Sequence, residues 1–335
     1  MSKTILVTGA AGFIGSHATA TLLARGDTVV GLDNLNDYYD PARKRANVVE
    51  VQTERERTKG AGPFTFVEGD IRDRPLVARL FETHRFDAVV HLAAMAGVRA
   101  SIEDPQLYLD VNLGGTLNLL DAASGRLGNP PAQTRRPNLV FASTSSVYGA
   151  TKQIPFIETD PCDRPLAPYP ASKRAAELLG FTYHHLYGVD FTALRFFTVY
   201  GPRGRPDMMA YKVLDNIFFD KEVPLYNKGQ MHRDWTFVDD IVSGVVAAAD
   251  RRLGYETINL GRGAPVLLAD FVEMIEKLAG RPARLVPAPM MDADIAYTYA
   301  DAGKACRLLG YEPKISVQEG VSRFWRWYQR AVLGK

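Results

Sequence analysis

The nine residues from Thr8 to Ser16, TGAAGFIGS, place three glycines at equal spacing directly after a short apolar run. The run TILV (4–7) predicts a strand, and the stretch after Gly15 predicts a helix. Glycines let a ligand approach the backbone closely, and the N–H groups at the start of a helix attract an anion. The stretch therefore predicts a strand–turn–helix unit that holds a pyrophosphate, with contacts from Gly9, Gly12, Phe13, Ile14 and Gly15.

Further short β-branched runs alternate with helical patterns along the chain. Runs that are apolar throughout and separated by crossovers predict a parallel sheet covered on both faces. The predicted fold class is α/β, a doubly wound parallel sheet of the Rossmann type with a smaller, mixed α/β substrate-binding domain. The polar stretch 41–63 predicts a surface excursion with a helical piece. The predicted strands are TILVTG (4–9), DTVVGLD (27–33), FTFVEGD (64–70), FDAVVHLAA (86–94), NLVFAST (138–144) and DFTALRFF (190–197).

The rhythm of the sequence changes at YGPRGRPDMM (200–209), where Pro, Gly and Arg concentrate. We predict a dinucleotide-binding domain over 1–196 and a nucleotide-binding substrate domain over 197–335. The segment 235–261, another strand and helix, is predicted to cross back to the large sheet.

Composition excludes several classes of protein. Of the 335 residues, 46% are hydrophobic and 23% charged, which is typical of a globular protein, and the net charge of +2 argues against nucleic acid and membrane surfaces as partners. There is no apolar run of about 18 residues. Cys162 and Cys306 fit no metal or disulfide pattern, so we expect no metal and a cytoplasmic location.

An acidic residue follows the glycine stretch at the distance that dinucleotide binding requires. Asp33 ends the second predicted strand, about 20 residues on, where a carboxylate binds the adenosine ribose hydroxyls. Asp33 would repel a 2′-phosphate and Asn34 offers no charge, so NAD is favoured over NADP. Further predicted cofactor contacts are Asp70, Ile71, Leu92, Ala93 and Ala94. For Asp70 the alternative is a turn residue, because aspartates at strand ends are common in turns. For Ala93 and Ala94 the alternative is core packing.

Hydride chemistry at a hydroxyl-bearing carbon needs a base, and two tyrosines are followed by lysine four residues later. Tyr148 with Lys152 lies in a segment interrupted by Gly149 and predicts a loop. Tyr169 with Lys173 opens the good helical sequence ASKRAAELLGF, and positions i and i+4 share one face of a helix. We therefore predict Tyr169 and Lys173 as the catalytic pair, also in contact with the cofactor, and expect Lys173, the helix N-terminus and the cationic nicotinamide to favour the phenolate.

Together, TGAAGFIGS, HLAA, the hydroxyl run and YPASK resemble the extended short-chain dehydrogenase/reductase family that modifies nucleotide sugars. Within that family the chain is most similar to the UDP-glucuronate 4-epimerases, over nearly its whole length, in LDNLNDYYDPARKRA, AGVRASIEDP, STSSVYG, RFFTVYGPRGRPDM and HRDWTFVDD. The resemblance implies that bound NAD oxidises C4 of the sugar, that the 4-keto sugar rotates, and that hydride returns to its opposite face.

The stretch STSSVYG (143–149) carries hydroxyls and no acid, whereas related decarboxylases and dehydratases have an acidic residue in it. By resemblance the sugar carboxylate is assigned to Thr144, Ser145, Ser146, Thr198 and Arg205, with one serine also near the C4 oxygen. UDP-galactose 4-epimerases usually have asparagine in place of Thr198. The alternative for the hydroxyls is that a Ser/Thr-rich strand end caps its own turn. The neighbouring Arg203 is expected to be a solvated charge.

The resemblance also assigns Arg233 to the nucleotide diphosphate, with Arg99 and Asp294 as further substrate contacts. A structural salt bridge is an equally good interpretation of Arg99. The late segment departs from the family pattern, since Met291 replaces a polar residue and Ala293 replaces glycine.

Other functions stay open on the sequence. They are a UDP-galactose-type 4-epimerase, a nucleotide-sugar decarboxylase or dehydratase, and a non-enzymatic NAD-binding scaffold or sensor. The helices expected near 104–123 and 171–187 are apolar enough to pair in a homodimer, although periodicity does not separate an interface from a core.

Overall fold

The computed structural model describes residues 2–128, 135–290 and 292–335. Its strands are β1 (Thr4–Thr8), β2 (Thr28–Asp33), β3 (Phe64–Glu68), β4 (Ala88–His91), β5 (Asn138–Thr144), β6 (Phe191–Phe196), β7 (Thr198–Tyr200), β8 (Glu222–Tyr226), β9 (His232–Phe237), β10 (Tyr255–Leu260), β11 (Pro265–Leu267), β12 (Arg284–Ala288) and β13 (Tyr297–Thr298). Seven of these strands form one parallel sheet in the order β10-β6-β5-β4-β1-β2-β3. The predicted doubly wound sheet is confirmed.

Helices cover both faces of this sheet. The helices of the described residues are α1 (Phe13–Ala24), α2 (Pro41–Arg57), α3 (Arg74–Thr83), α4 (Ala100–Glu103), α5 (Pro105–Tyr108), α6 (Gly115–Ala123), α7 (Pro168–Tyr187), α8 (Met209–Phe218), α9 (Val238–Asp250), α10 (Leu268–Ala279), α11 (Gly303–Leu309) and α12 (Val317–Ala331). Of these, α8, α10 and α12 pack instead on β8, β11 and β9 of a smaller layer. Alternation along β1 divides the core, because Ile5 and Val7 pack in one apolar cluster while Leu6 packs in the other. Strands buried on both faces explain the runs without polar alternation.

The strand order reverses between β1 and β4, and a crevice opens there at the carboxyl ends of the strands. Gly9 follows β1 with φ +71°, and a Cβ on it would lie 2.7 Å from the Ala93 nitrogen after β4. A Cβ on Gly15 would lie 1.9 Å from the Gly9 carbonyl oxygen, so α1 approaches the turn too closely for any side chain. The glycines thus set the width of the crevice.

The later part of the chain builds a smaller layer against the large sheet. β7 and β9 pair with each other, β9 also pairs with β11 and β13, and β8 pairs with β12. Of the segment predicted to cross back, β10 joins the large sheet and α9 packs on α1, β4 and β5, whereas β9 belongs to the smaller layer. The domain boundaries at 196 and 197 stay a prediction.

Two segments differ from the sequence-based expectation, the first because it is more ordered and the second because its helix is interrupted. The stretch 41–63 contains α2, a helix of 17 residues that buries Lys44, Asn47 and Val51. The region 105–123 is interrupted by a π-helical turn, Leu109–Gly114, between α5 and α6. Over the described residues, no helix is long and apolar enough to cross a membrane, and no group of three His, Cys, Asp or Glu side chains is placed to hold a metal.

Candidate active site

A cavity of about 420 Å³ extends from the glycine turn to the loop after β7. It brings together residues from the ends of β1, β2, β4, β5 and β6, from the start of α7, and from that loop. Its walls include every predicted cofactor residue and all five predicted contacts of the sugar carboxylate: Gly9, Gly12, Phe13, Ile14, Gly15, Asp33, Asn34, Asp70, Ile71, Leu92, Ala93, Ala94, Thr144, Ser145, Ser146, Tyr169, Lys173, Thr198 and Arg205.

The glycine turn presents the start of α1 to the cavity. Gly12 precedes the helix and provides no side-chain cap, so the first backbone N–H groups of α1 have no side-chain acceptor. Unpaired N–H groups and the helix dipole favour a negatively charged ligand at this point. Together with the cradle that a Cβ on Gly9 or Gly15 would fill, this end of the cavity fits the pyrophosphate of a dinucleotide.

Asp33 lies at the ribose end of the same crevice. Its carboxylate accepts hydrogen bonds from the Ala11 N–H (3.0 Å) and the Leu35 N–H (2.9 Å), which leaves acceptor capacity for ribose hydroxyls. Burial raises the pKa of Asp33, and the nearby cation of Lys44 opposes the shift. Lys44 donates to the carbonyl of Asn36 (2.8 Å) and lines the cavity, a role that the sequence interpretation of 41–63 as a surface excursion missed.

Asp70 is partly engaged in its own turn. Its side chain accepts from Asn34 Nδ2 (2.9 Å) and pairs with Arg72 (2.8 Å). The turn interpretation of a strand-end aspartate therefore holds here, alongside a position in the cavity wall.

Tyr169 and Lys173 lie in the first turns of α7. The helix begins at Pro168, just before the tyrosine, so proline occupies its first position and the two side chains share one face. Lys173 is 2% exposed, with its Nζ 4.6 Å from the centre of the Phe141 ring. Burial lowers the pKa of Lys173 to about 7, against the charge of Glu177, so its charged form is destabilised and sensitive to a neighbouring anion.

Burial raises the pKa of the Tyr169 phenol, opposed by a side-chain hydrogen bond with Thr144 and by the charge of Arg205. In the chain alone, desolvation of the phenolate outweighs both, so the expected shift toward neutral pH, which included the cation of a bound nicotinamide, stays a prediction. The cation of a bound nicotinamide would act in the same direction as Arg205. The pair thus fits a base that becomes effective once the cofactor is in place.

A buried ionic network underlies the catalytic pair, and sequence reasoning did not find it. Glu177, one turn beyond Lys173, accepts from Ser143 Oγ (2.5 Å) and forms a two-bond pair with Arg195 (3.0 and 2.9 Å). Arg174 adds a third cationic contact at 2.9 Å. Ser143 therefore connects this network to the cavity wall, to which Thr144, Ser145 and Ser146 also belong.

The hydroxyl run ends β5 and enters a short 3₁₀ turn, Ser145–Tyr148. Thr144 Oγ1 accepts from the Ser146 N–H (3.1 Å), so the capping alternative is correct for this residue. Thr144 also bonds Tyr169, which places the run beside the candidate base. Tyr148 faces away and donates to Asn259 Oδ1 (2.7 Å), and is thus separated from the chemistry.

The loop after β7 brings Arg205 into the cavity. Arg205 forms a two-bond ion pair with Asp207, from Nε (3.0 Å) and Nη2 (2.6 Å), and its guanidinium lies 5.3 Å from the centre of the Tyr38 ring. Asp207 and Tyr38, which also line the cavity, were missed from the sequence. An acid two residues after an arginine in a turn is a sequence pattern that indicates an ion pair, and it could have identified Asp207.

The expectation that Arg203 is a solvated charge is wrong. Its side chain is 4% exposed and pairs with Glu50 (3.1 Å) and Glu54 (2.5 Å) of α2. His17 of α1 contacts the carbonyl of Pro202 (2.9 Å), and burial lowers the pKa of His17 to about 3. These contacts fix the loop to the helices that flank the glycine turn.

The predicted nucleotide contacts form a separate cluster outside the cavity wall. Arg99 pairs with Asp294 (2.8 Å) and stacks on Tyr226 at 3.8 Å, so it does form a salt bridge, and its contact with substrate stays a prediction. Arg233 is adjacent, and burial lowers its pKa to about 10, with Asp294 opposing and Arg99 assisting the shift. The departure at Met291 lies outside the described residues.

The residues present therefore fit a dinucleotide and a sugar side by side. The model of the NAD dependent epimerase/dehydratase family matches residues 5–261, and the chain belongs to that family. The match ends one residue beyond β10.

The chain is also similar to individual proteins that act on nucleotide sugars. A UDP-glucuronate 4-epimerase of Thermodesulfobacterium geofontis is 43% identical, over 98% of this chain and 96% of its own length. The crystal structure of the UDP-glucuronic acid 4-epimerase from Bacillus cereus, in complex with UDP-glucuronic acid and NAD, superposes with a TM-score of 0.85 at 32% identity, over 98% of this chain and 99% of that one. DesIV, a dTDP-glucose 4,6-dehydratase from Streptomyces venezuelae with NAD and TYD bound, gives 0.85 at 30% identity, over 98% and 97%. Since an epimerase and a dehydratase fit equally well, the fold alone does not select the reaction.

Proposed function

We propose that the protein interconverts UDP-glucuronate and UDP-galacturonate by NAD-dependent epimerisation at C4 of the sugar, through a transient 4-keto sugar and without decarboxylation. One observation carries this proposal above all. The turn beside the Tyr169–Lys173 pair offers hydroxyls and no acid, and Arg205 faces the same cavity. An arginine suits a carboxylate-bearing sugar, and the hydroxyls can hold it without donating a proton to C5.

NAD supplies the hydride acceptor and, in the return step, the hydride donor. Tyr169 Oη removes the proton from the C4 hydroxyl as the carbon is oxidised, and returns it after the sugar has turned over. The positive charges of Lys173 and Arg205 stabilise the phenolate while it carries no proton. The proton and the hydride both come back to the sugar, so the reaction has no net redox change.

The carboxylate sites must also prevent a side reaction. A 4-keto uronic acid is a β-keto acid, which loses CO₂ when the bond from C5 to the carboxylate aligns with the carbonyl π system. Suppressing that loss a thousandfold requires about 4 kcal/mol. Two or three charge-assisted hydrogen bonds, at roughly 1.5 to 3 kcal/mol each, are sufficient. In our proposal Thr144, Ser145, Ser146, Thr198 and Arg205 provide them, and Arg99, Arg233 and Asp294 hold the nucleotide end.

A proton NMR time course of the purified protein, with its bound NAD and UDP-glucuronate, tests the proposal. We expect UDP-galacturonate to accumulate to equilibrium without UDP-xylose. Accumulation of UDP-xylose would identify a decarboxylase, and preferential turnover of UDP-glucose would identify a galactose-type epimerase. Loss of turnover on a panel of UDP- and TDP-sugars, despite bound NAD, would leave a non-enzymatic scaffold.

We also propose a cytoplasmic homodimer that serves polysaccharide biosynthesis. Large apolar side chains are exposed along α7 and the turn before α6, namely Leu109 (42%), Leu178 (52%), Phe181 (52%) and Leu186 (59%). A second copy of the chain would cover them. Light scattering should give twice the 37.0 kDa chain mass, and Phe181→Glu should give the monomer.

A further inference from the structure

The ion pair between Arg205 and Asp207 raises a question that the proposed function does not answer. The guanidinium assigned to the substrate carboxylate already has a carboxylate partner supplied by its own loop, two residues further on. Asp207 accepts from Nε and from Nη2, so it uses two of the five N–H donors that a guanidinium offers. Together the two side chains carry no net charge, which weakens the attraction of this end of the cavity for an anion.

The two partners differ in freedom to move. The Arg205 side chain is 19% exposed, whereas that of Asp207 is 40% exposed. Among the described residues, the acid also accepts a long hydrogen bond of 3.4 Å from Tyr38 Oη. On leaving Arg205, the more exposed Asp207 regains water, whereas the mostly buried guanidinium would be left without an acceptor. Asp207 can therefore leave Arg205 at small cost when the sugar carboxylate takes its place, and return when that carboxylate departs.

The backbone that carries both residues is held in place. Arg203 is tied to Glu50 and Glu54 on α2, and the Pro202 carbonyl is tied to His17 on α1. The Met208 N–H donates to the Arg205 carbonyl (3.1 Å) and closes the turn that sets Asp207 beside Arg205. Exchange of partners at Arg205 is then a matter of side chains, with the loop itself unmoved.

Epimerisation needs such an exchange. A 4-keto sugar that turns over must take the carboxylate at C5 with it, so any contact between that carboxylate and Arg205 has to break in every cycle. Breaking a hydrogen bond to a mostly buried cation without replacement costs far more than exchanging one acceptor for another.

We propose that Asp207 is an internal competitor for Arg205, which takes back the guanidinium whenever the sugar carboxylate leaves it, and so keeps acidic sugars bound loosely enough to rotate. Asp207 is thus a specificity-determining residue that acts on substrate through Arg205. The inference rests on the proposed function, because it assigns a role in the turnover of an acidic sugar.

The test measures binding with the chemistry blocked. In NAD-loaded protein carrying Tyr169→Phe, calorimetry compares UDP-glucuronate with UDP-glucose, whose hydroxymethyl group is neutral, with and without Asp207→Asn. We expect Asp207→Asn to tighten UDP-glucuronate about tenfold, within the range of one charge-assisted hydrogen bond, and to leave UDP-glucose within about twofold. Asp207→Ser, which removes the acid altogether, should give the same selective gain.

Kinetics provide the second readout. With Tyr169 intact, Asp207→Asn should lower both KM and kcat for UDP-glucuronate, each about five- to tenfold, since a tighter carboxylate contact opposes rotation. Asp163→Asn, an exposed aspartate beside Arg164 and outside the cavity wall, is the matched control and should change neither.

Three results would overturn the inference. They are equal changes for both sugars, weaker binding of UDP-glucuronate, which would make Asp207 only an orienting partner of Arg205, and unchanged binding. These results are distinguishable from failure of the proposed function. If the proposed function fails, the parent protein itself does not epimerise UDP-glucuronate, whereas the three results concern variants of a parent that does.

Discussion

The two ends of the cavity are built in different ways. The cofactor end is made largely of backbone and small residues, with Gly9 and Gly12 in one turn, Gly15 at the start of α1 and Ala93 opposite Gly9. The sugar end is made of side chains from distant segments, including Tyr38, Thr144, Tyr169 and Arg205. The geometry of a site formed by backbone is determined by the positions at which only glycine fits. The geometry of a site formed by side chains is determined by which distant residues the fold brings together.

The largest expected effect is on kcat, from a substitution at the sugar end that removes the catalytic base and leaves cofactor binding intact. Tyr169→Phe should lower kcat about a thousandfold, because general acid–base catalysis contributes roughly 10² to 10⁴. NAD content and the melting temperature should stay near those of the parent. Tyr148→Phe is the matched control, since it removes the hydrogen bond to Asn259 from the other tyrosine–lysine pattern. Near-normal turnover by Tyr169→Phe would exclude Tyr169 as the base.

At the cofactor end, Gly15→Ala tests whether the backbone itself forms the site. The new Cβ would meet the Gly9 carbonyl oxygen at 1.9 Å, so the turn must shift. Overpacking of this kind costs about 1 to 3 kcal/mol, and we expect NAD affinity to fall about 100-fold. Gly114→Ala is the control, because its Cβ would have no neighbour nearer than 4.0 Å. Unchanged NAD affinity in Gly15→Ala would contradict the close approach.

Arg205→Ala tests charge at the sugar end. Losing a charge-assisted contact of about 2 kcal/mol should weaken UDP-glucuronate roughly 30-fold. UDP-glucose should weaken only a few-fold, because its hydroxymethyl group makes no such contact. Inhibition constants of the two nucleotide sugars give the comparison, and equal losses would remove Arg205 from the carboxylate site.

Lys173 gives the smallest effect, on stability. Its pKa is lowered to about 7 by burial, so between pH 7 and its ordinary value of 10.5 the unfolded chain binds more protons than the folded one. The contribution of Lys173 to the free energy of unfolding must therefore rise with pH across that window. Urea unfolding at pH 7 and pH 9 should show the parent gaining relative to Lys173→Met. Parallel behaviour would mean that the lysine is not desolvated.

The same contrast explains what the sequence could predict. The glycine turn, Asp33 and the start of α7 are local features with fixed spacing, and the structure places all of them in one cavity. Lys44 and Glu177 lie on helix faces whose burial depends on packing with distant strands, so their roles were not visible.

Arg203 and Arg205 are the clearest case. Two residues apart in one loop, they differ only in what lies opposite. Two glutamates of α2 bury the first, and the cavity receives the second. A charged residue in a loop carries no sign of its distant partner, so the sequence alone gave no reason to expect Arg203 inside.

The place of β10 has a consequence for how the chain can be made and divided. This strand completes the large sheet beside β6, yet it is synthesised only after β7, β8 and β9 of the smaller layer. A fragment ending at 196 would leave β6 as an open edge and would lack α9, which covers β4 and β5. During synthesis, the large sheet is therefore completed only after β10 has left the ribosome. For the same reason, a chimera of two relatives joined at residue 196 would combine strands from both parents in the large sheet.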